Sequence, residues 1–246
     1  STLLDPYSYR VLKEDCLDLP EKIYTKRQVD LMPEQKKAYK EMKEYALTLF
    51  EDGSVLTAST VMTQLLRLHQ ISCGHLITES GETKVFKNNR ITELMDILEE
   101  VDGKVIIWAN YRQDIRTIYD TISKKYGADT VATYYGDTPD EERQGIVQNF
   151  QGTKSPLRYF VGNQQTAGYG LTLTAASTVV YYSNNYDLEK RIQSEDRAHR
   201  IGQKSNVTYI DLIAEKTVDE RIVKALRNKI NIASTVLGED FKQWLT

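Results

Sequence analysis

Hydrophobic positions change their spacing once along this chain, near Gly103. Upstream they recur at helical intervals. In MPEQKKAYKEMKEYALTLFED, Tyr39, Met42, Ala46, Leu49 and Phe50 share one face, with Pro33 near the first turn. NRITELMDILEEV repeats the pattern through Ile91, Leu94, Met95, Leu98 and Val101. The segment before Gly103 is therefore expected to be helical after an irregular start. Downstream, short β-branched runs take over. KVIIWA, TVATYY, LRYFVGN, STVVYY and VTYIDLIA read as strands. Between the first two, DIRTIYDTISKKY is amphipathic through Ile115, Ile118, Tyr119 and Ile122. Thr138-Pro139-Asp140-Glu141 and Thr217-Val218-Asp219-Glu220 have the form of capping boxes, each opening a further helix. Strands alternating with helices predict an α/β fold with a mostly parallel sheet covered on both faces, from about Gly103 to Ala214. In such sheets ligands gather at the carboxyl ends of the strands. The loops after Ala109, Tyr135, Gly162 and Tyr182 are thus where chemistry is expected, and they hold the densest polar sequence: NYRQ, GDTPDEER, NQQTAGYG and SNNYD.

Composition narrows the classes. A chain of 246 residues with 40% hydrophobic and 27% charged residues is a folded protein, not a disordered one. No apolar run approaches the ~20 residues of a membrane helix, and the N-terminus has no secretory pattern. The two cysteines, Cys16 and Cys73, lie far apart, which argues against a disulfide framework. Cys73-Gly74-His75 has no second pair to complete a metal site. With a net charge of -3, any nucleic-acid contact must come from a local patch.

Several motifs are incomplete. The one Gly-Lys pair, Gly103-Lys104, has Leu98 and Val105 where a phosphate-cradling P-loop needs Gly and Ser or Thr. DEER at 140–143 and DERI at 219–222 open helices, so their carboxylates read as first-turn charges favoured by the helix dipole. No complete nucleotide-hydrolysing site follows from these residues. In TAGYGLTLT, Gly168 and Gly170 follow a strand, but Leu173 stands where a dinucleotide fingerprint needs its third glycine. A tight turn with positive φ, or a backbone that lets a phosphate come close, both fit. QSEDRAHRIGQ raises a similar choice. If it is helical, Gln193, Arg197 and Arg200 fall at i, i+4 and i+7 on one face, with Leu188 and Ile192 anchoring the turn before them. A solvated helix end would gain about 0.3–1 kcal/mol from arginines at its C-terminus. Two guanidiniums a turn apart would also clamp phosphoryl oxygens. The residues alone leave both readings open. The 16 tyrosines are scattered, which suits amphipathic core edges better than a stacking platform, and Tyr111 is expected to pack.

Taken together, the segments resemble the second, C-terminal RecA-like lobe of Swi/Snf-like ATPases of helicase superfamily two. QSEDRAHRIGQKSNVTYIDLIAEKTVDERI resembles motif six and its sequel, RYFVGNQQTAGYGLTLTAASTVVYYSNNYD motif five, and KVIIWANYRQDI motif four. YYGDTPDEERQGIVQNFQ is similar to the segment between motifs four and five. LPEKIYTKRQVDLMPEQKKAY and QLLRLHQISCGHL resemble the linker and protruding helices that join two lobes. Residues 1–102 are then linker and helical protrusion, and residues 103–246 the lobe with its C-terminal helix. TAGYGLTLT is closest to bacterial and phage members. Two departures stand out. Ala167-Gly168-Tyr169-Gly170-Leu171-Thr172 replaces the family's Gly-Gly-x-Gly-Leu-Asn, and Asn184-Asn185-Tyr186-Asp187 replaces a Trp-Asn-Pro.

The resemblance implies a DNA-dependent ATP hydrolase that translocates on duplex DNA without separating strands. A first lobe, expected upstream of this chain, would hold the P-loop and most ligands of ATP and Mg²⁺, so this chain alone is expected to be inactive. Arg197 and Arg200 would reach across to the phosphoryl group, and Gln193 would orient them or the attacking water. Gly168, Tyr169, Gly170 and Thr172 would lie against the nucleotide. Asn110, Arg112, Gln113, Gln165, Thr166, Asn184 and Asn185 would hold the DNA backbone. A cytoplasmic place in a bacterial or phage-infected cell is expected, or a nuclear one in a eukaryote. Two other readings compete: an inactive stand-alone DNA- or protein-binding module of the same fold, and a dinucleotide-dependent enzyme, disfavoured by the missing third glycine.

Overall fold

The structure is a computed structural model that describes residues 18–51, 58–78, 80–166 and 170–228. Its elements run β1 (Lys22–Val29), α1 (Pro33–Glu51), α2 (Ala58–Cys73), β2 (His75–Ile77), β3 (Thr83–Val85), α3 (Arg90–Glu100), β4 (Lys104–Trp108) and α4 (Arg112–Tyr126). Then follow β5 (Val131–Tyr134), α5 (Asp140–Gln151), β6 (Tyr159–Gly162), β7 (Ala176–Tyr181), α6 (Leu188–Ala198), β8 (Val207–Ala214) and α7 (Val218–Arg227). Six strands form a parallel sheet in the order β1-β8-β7-β4-β6-β5, while β2 and β3 make a separate antiparallel pair.

Side chains alternate across the sheet, so each central strand feeds two cores. Val105, Ile107, Val161 and Val180 pack under α3 and α4 against Leu94, Leu98, Ile115 and Ile118. Ile106, Trp108, Phe160, Val179 and Tyr181 face the other way, toward Phe150 of α5 and Ala198 of α6. Burial on both faces explains the nearly unbroken apolar runs of the central strands. A third cluster joins α1, α2 and α7 through Ala46, Leu65, Leu68, Val218 and Ile222. At the end of β6, a Cβ on Gly162 would lie 2.9 Å from the Trp108 ring and 3.2 Å from the Tyr134 carbonyl. Only glycine lets the strands close up there.

The five strands expected from the sequence form, and the helices through Met42, Leu94 and Ile118 form around them. The side chains of Leu49 and Phe50 lie outside the described residues. Three local expectations are corrected. Lys22–Val29, expected to be irregular, is the edge strand, paired with β8 from Lys22↔Val207 to Val29↔Ala214. Its exposed Ile23 and Tyr24 and its interspersed Lys and Arg are the composition of an edge, and they hid the strand period. The first capping box does not form. Thr138 instead donates to the Thr133 carbonyl at 3.2 Å and accepts from the Tyr135 N–H at 3.0 Å, and Pro139 precedes the helix. Thr217 does cap α7, accepting from the Asp219 N–H at 3.2 Å. Asp219 and Glu220 lie in the first turn of α7, as expected, with Asp219 only 3% exposed. Ile192 is 43% exposed and anchors nothing.

Asp219 sits in a buried polar network that ties α2, α3, β7 and α7 together. Arg90, 1% exposed, pairs with it and donates to the carbonyls of Tyr182 at 2.6 Å and Leu212 at 3.0 Å. The Ser72 hydroxyl donates to Asp219 at 2.8 Å, and the Ala214 N–H does so at 3.0 Å. Burial is the largest influence and would raise the Asp219 carboxyl; the Arg90 charge, His69 and the hydrogen bonds from Ala214 and Arg90 together hold it below its ordinary range. His69 lies between Asp219 Oδ1, 3.3 Å from Nε2, and the Tyr111 hydroxyl, 2.8 Å from Nδ1. A carboxylate only accepts, so Nε2 carries the proton and Nδ1 accepts from Tyr111. Tyr111 is thereby packed, its ring edge-on to His69 and His75.

Burial pushes the His69 imidazole down to about 4. The folded imidazole stays neutral where the unfolded one, with an ordinary value of about 6.5, takes up a proton. Acid therefore favours unfolding, and this contribution is lost as pH falls from about 6.5 to 4. Urea denaturation across that window should show falling stability in the wild type and a flatter profile in His69→Gln; equal slopes would contradict the buried neutral assignment.

Candidate functional site

The carboxyl edge of the sheet is laced together by amides. Asn163, after β6, donates to the Asn110 carbonyl at 2.8 Å. Asn185, after β7, donates to Asn110 Oδ1 at 2.9 Å. The Asn110 N–H donates to the Ser183 hydroxyl at 2.8 Å, and that hydroxyl donates to Asp114 at 2.8 Å. Gln164, 1% exposed, accepts from the Asn185 N–H at 3.2 Å. Loops after β4, β6 and β7 thus share one rigid hydrogen-bonded floor. Above it, Gln165 and Arg112 are exposed, and Thr166, Gln113, Asn110 and Asn185 are half-buried. Arg112 faces Asp137 at 3.1 Å, and Gln113 donates within its own helix to Thr117 at 3.3 Å.

Asn184 is a correction. It is 3% exposed, accepts from Arg191 Nη1 at 2.6 Å and donates to Asp211 at 3.1 Å. Both ends of its amide are occupied below the surface, so it supports the loop and does not face a ligand. Arg191 is the residue that sequence reasoning passed over. It is buried in α6, bonded to Asp211 at 2.6 Å and to Glu195 at 2.9 Å, with its guanidinium carbon 3.4 Å from the centre of the Tyr181 ring. The legible signals were the i, i+4 pair Arg191–Glu195 and a lone acid inside the apolar run VTYIDLIA.

Asp187 caps α6 by accepting from the Glu189 and Lys190 N–H groups. The helix ends at Ala198, which corrects the expected arginine geometry: Arg197 is in its last turn, but Arg200 lies beyond it. Arg197 is half-buried and donates to the Leu171 carbonyl at 3.4 Å, while its own carbonyl accepts from the Leu173 N–H at 2.9 Å. Burial, then the neighbouring Arg200 charge, lowers the Arg197 pKa from its ordinary value. Arg200 is exposed. Gln193 is half-buried and donates to Glu189 at 2.9 Å.

After Arg200 the chain turns through Gly202, at φ +100°, and is fastened by Gln203. The Gln203 amide donates to the carbonyls of Ala176 at 2.9 Å, Ala198 at 3.1 Å and Thr174 at 3.2 Å. Its oxygen accepts from the N–H groups of Lys204 at 2.9 Å and Ser205 at 3.1 Å. Ile-Gly-Gln is therefore a turn and a clasp that fix the arginine loop to the start of β7. The structure brings Arg197 against the loop that carries Gly170, exposed at φ +76°, and the half-buried Thr172. Gly168 and Tyr169 lie outside the described residues. Cationic and amide groups on a rigid edge suit phosphate binding without base reading. Among the described residues no three His, Cys, Asp or Glu side chains are placed to hold a metal ion. Nor is any described helix long and apolar enough to cross a membrane.

Residues 87–202 match the helicase conserved C-terminal domain. The chain is 27% identical over 236 residues to an uncharacterized ATP-dependent helicase of Mycoplasma pneumoniae, covering 96% of this chain and 23% of that protein. It is 26% identical over 251 residues to the SWI/SNF chromatin-remodeling complex subunit snf22 of Schizosaccharomyces pombe, covering 96% of this chain and 15% of that one. Among solved structures, the Sulfolobus solfataricus SWI2/SNF2 ATPase core in complex with dsDNA superposes with a TM-score of 0.73 at 27% identity, over 99% of this chain and 54% of that one. The C-terminal domain of the same ATPase shares the fold, with a TM-score of 0.66 at 24% identity over 91% of this chain and 92% of that one. The chain thus spans about a quarter or less of the length of these curated relatives.

Replacing Gln203 with Ala removes the clasp and leaves the Ala176 and Ala198 carbonyls without their shared donor. Chemical denaturation should show a loss of about 2 kcal/mol or more. Wild-type stability in Gln203→Ala would contradict the clasp.

Proposed function

We propose that this chain, which matches the helicase conserved C-terminal domain and the fold of a SWI2/SNF2 ATPase core, is the lobe that completes the catalytic cleft of a Swi/Snf-like DNA-dependent ATPase moving on duplex DNA. Residues 103–246 are its RecA-like body, and residues 1–102 supply linker and protrusion, with β1 lent to the sheet. ATP is bound between this lobe and a first lobe in the intact protein. Mg²⁺ is assigned to that first lobe with the other ligands of ATP, as the resemblance to these ATPases implies. The compartment is then the one that holds DNA, the cytoplasm in a bacterial or phage-infected cell.

One observation carries the reading: Arg197 donates to the Leu171 carbonyl, in the loop that carries Gly170 and Thr172, and Arg200 is exposed three residues farther on. Arg200, exposed beyond the helix end, is the group free to cross to phosphoryl oxygens. Arg197, bonded to Leu171, holds the arginine loop against the glycine loop and adds positive potential. Positive charge placed where negative charge grows is worth ~10³–10⁵ in rate for an arginine of this kind. Gly170 leaves the loop without a side chain where a phosphate would approach. Gln193 lies one turn before Arg197 on α6, where it positions water or the arginines. Duplex DNA is held by Asn110, Asn185, Gln165, Thr166, Arg112 and Gln113 on the same edge, all of them groups that bond to phosphate and sugar. Closure of the two lobes on ATP, and opening after hydrolysis, then moves one lobe's hold along the duplex.

In the intact two-lobed protein, Arg200→Ala should lower DNA-stimulated ATP turnover by ~10³-fold or more while duplex affinity stays close to wild type. Wild-type turnover in that variant would remove Arg200 from the cleft.

A further inference from the structure

A groove of about 300 Å³ lies between α1 and the turn after β8. Lys36, Lys40 and Lys43 stand at i, i+4 and i+7 on α1 and form one wall, with Lys216 on the other. Asp30 and Glu215 also line it, so four positive charges meet two negative ones and the groove carries +2, in a chain whose net charge is -3. Lys36 and Lys40 of this ladder are exposed and Lys43 is half-buried. The ladder's ion pair, Lys40 to Glu44 at 3.7 Å, joins two side chains more than 60% exposed and is worth little.

The groove is built, not incidental. Lys216 has φ +56°, the one positive-φ residue other than glycine among those described. A lysine stays in that conformation only where its surroundings hold it. Here the Glu215 N–H donates to the Val29 carbonyl at 3.3 Å on one side, and Thr217 is bound to the Ala214 carbonyl at 2.8 Å on the other. The groove's floor is fixed as well, since the Tyr39 hydroxyl accepts from the Val218 N–H at 2.9 Å and Leu31 is buried.

Asp30 follows β1 and Glu215 follows β8 in a parallel sheet, so the groove opens at the carboxyl ends of those strands. This is the edge that carries Asn110, Gln165 and Asn185 farther along. We propose that the groove is a second seat for the phosphodiester backbone of duplex DNA, held by Lys36, Lys40, Lys43 and Lys216. The proposal rests on the reading of this chain as a duplex-binding lobe. From Lys36 to Lys43 the helix rises ~10 Å, while a duplex carries one charge per ~1.7 Å of axis. The ladder therefore meets more than one phosphate. Flexible lysine stems, without arginine forks, suit a backbone that must slide past and carry no sequence preference.

The test measures binding of this chain to a labelled duplex of arbitrary sequence between about 50 and 200 mM salt, a range over which the salt slope reports how many phosphates are neutralised. Lys36→Gln/Lys40→Gln/Lys43→Gln keeps a good helix former at each position. It should lower the slope of log K against log salt by about 2–3, at ~0.9 for each phosphate no longer neutralised. Lys124→Gln, at the far end of α4 on the opposite sheet edge, should leave the slope unchanged. An unchanged slope in the triple variant overturns the groove assignment alone. So does a triple variant that weakens binding only to a poly-glutamate peptide, which would put an acidic protein segment there. Absence of duplex binding by the unaltered chain overturns the duplex reading and this inference with it.

Discussion

Everything on the functional edge depends on one buried charge pair, Arg191 with Asp211. Asp211 is fully buried in β8, and Arg191 in α6 is 5% exposed. Stripping water from two such ions costs several kcal/mol each, and only full hydrogen bonding offsets it. The site provides it. Asp211 receives Arg191 at 2.6 Å, Arg227 at 2.9 Å and Asn184 at 3.1 Å, and Arg191 also reaches Glu195 and Tyr181. Burial is the largest influence and raises the Asp211 carboxyl, but the Arg191 charge with the hydrogen bonds from Arg191, Arg227 and Asn184 together lowers it and keeps it ionised. The pair pins α6 to the sheet in one orientation. Arg197, Arg200 and the Gln203 clasp are all placed by that helix.

A second buried pair plays the same part on the opposite face. Arg90 with Asp219 ties the end of β7 to α7, and His69 and Tyr111 extend the network to α2 and the start of α4. The amide lattice of Asn110, Asn163, Gln164 and Asn185 lies between these two supports. Its hydrogen bonds join the loops after β4, β6 and β7 into one unit. Polar satisfaction, more than apolar packing, sets the geometry of the edge, because loops at strand ends have few apolar neighbours and many backbone groups to pair.

The sheet and its helices were legible in the sequence because apolar period and β-branched runs are strong where both faces are buried, as in KVIIW and VTYIDLIA. The edge strand KIYTKRQV was not, since an edge buries little and its charges break the period. Among site residues, the two arginines and Gln203 stood out by their density of polar groups, and the structure gives each a distinct place. Asn184 could not be told from Asn185 by sequence, for both are polar loop residues, and only the long-range partner Asp211 draws one of them inside. Arg90 and Asp219 were hidden for the same reason. Each looks like a helix-start charge, and their pairing spans 129 positions of chain.

The proposed function has a guanidinium on this edge complete a pocket whose other wall belongs to a partner lobe. A crystal structure of the two-lobed protein with ADP, Mg²⁺ and a planar metal-fluoride mimic of the transferred phosphoryl group tests this most directly. The expected result is an Arg200 nitrogen within about 3 Å of a fluoride. A closed complex with both Arg197 and Arg200 turned away from the fluorides would contradict it.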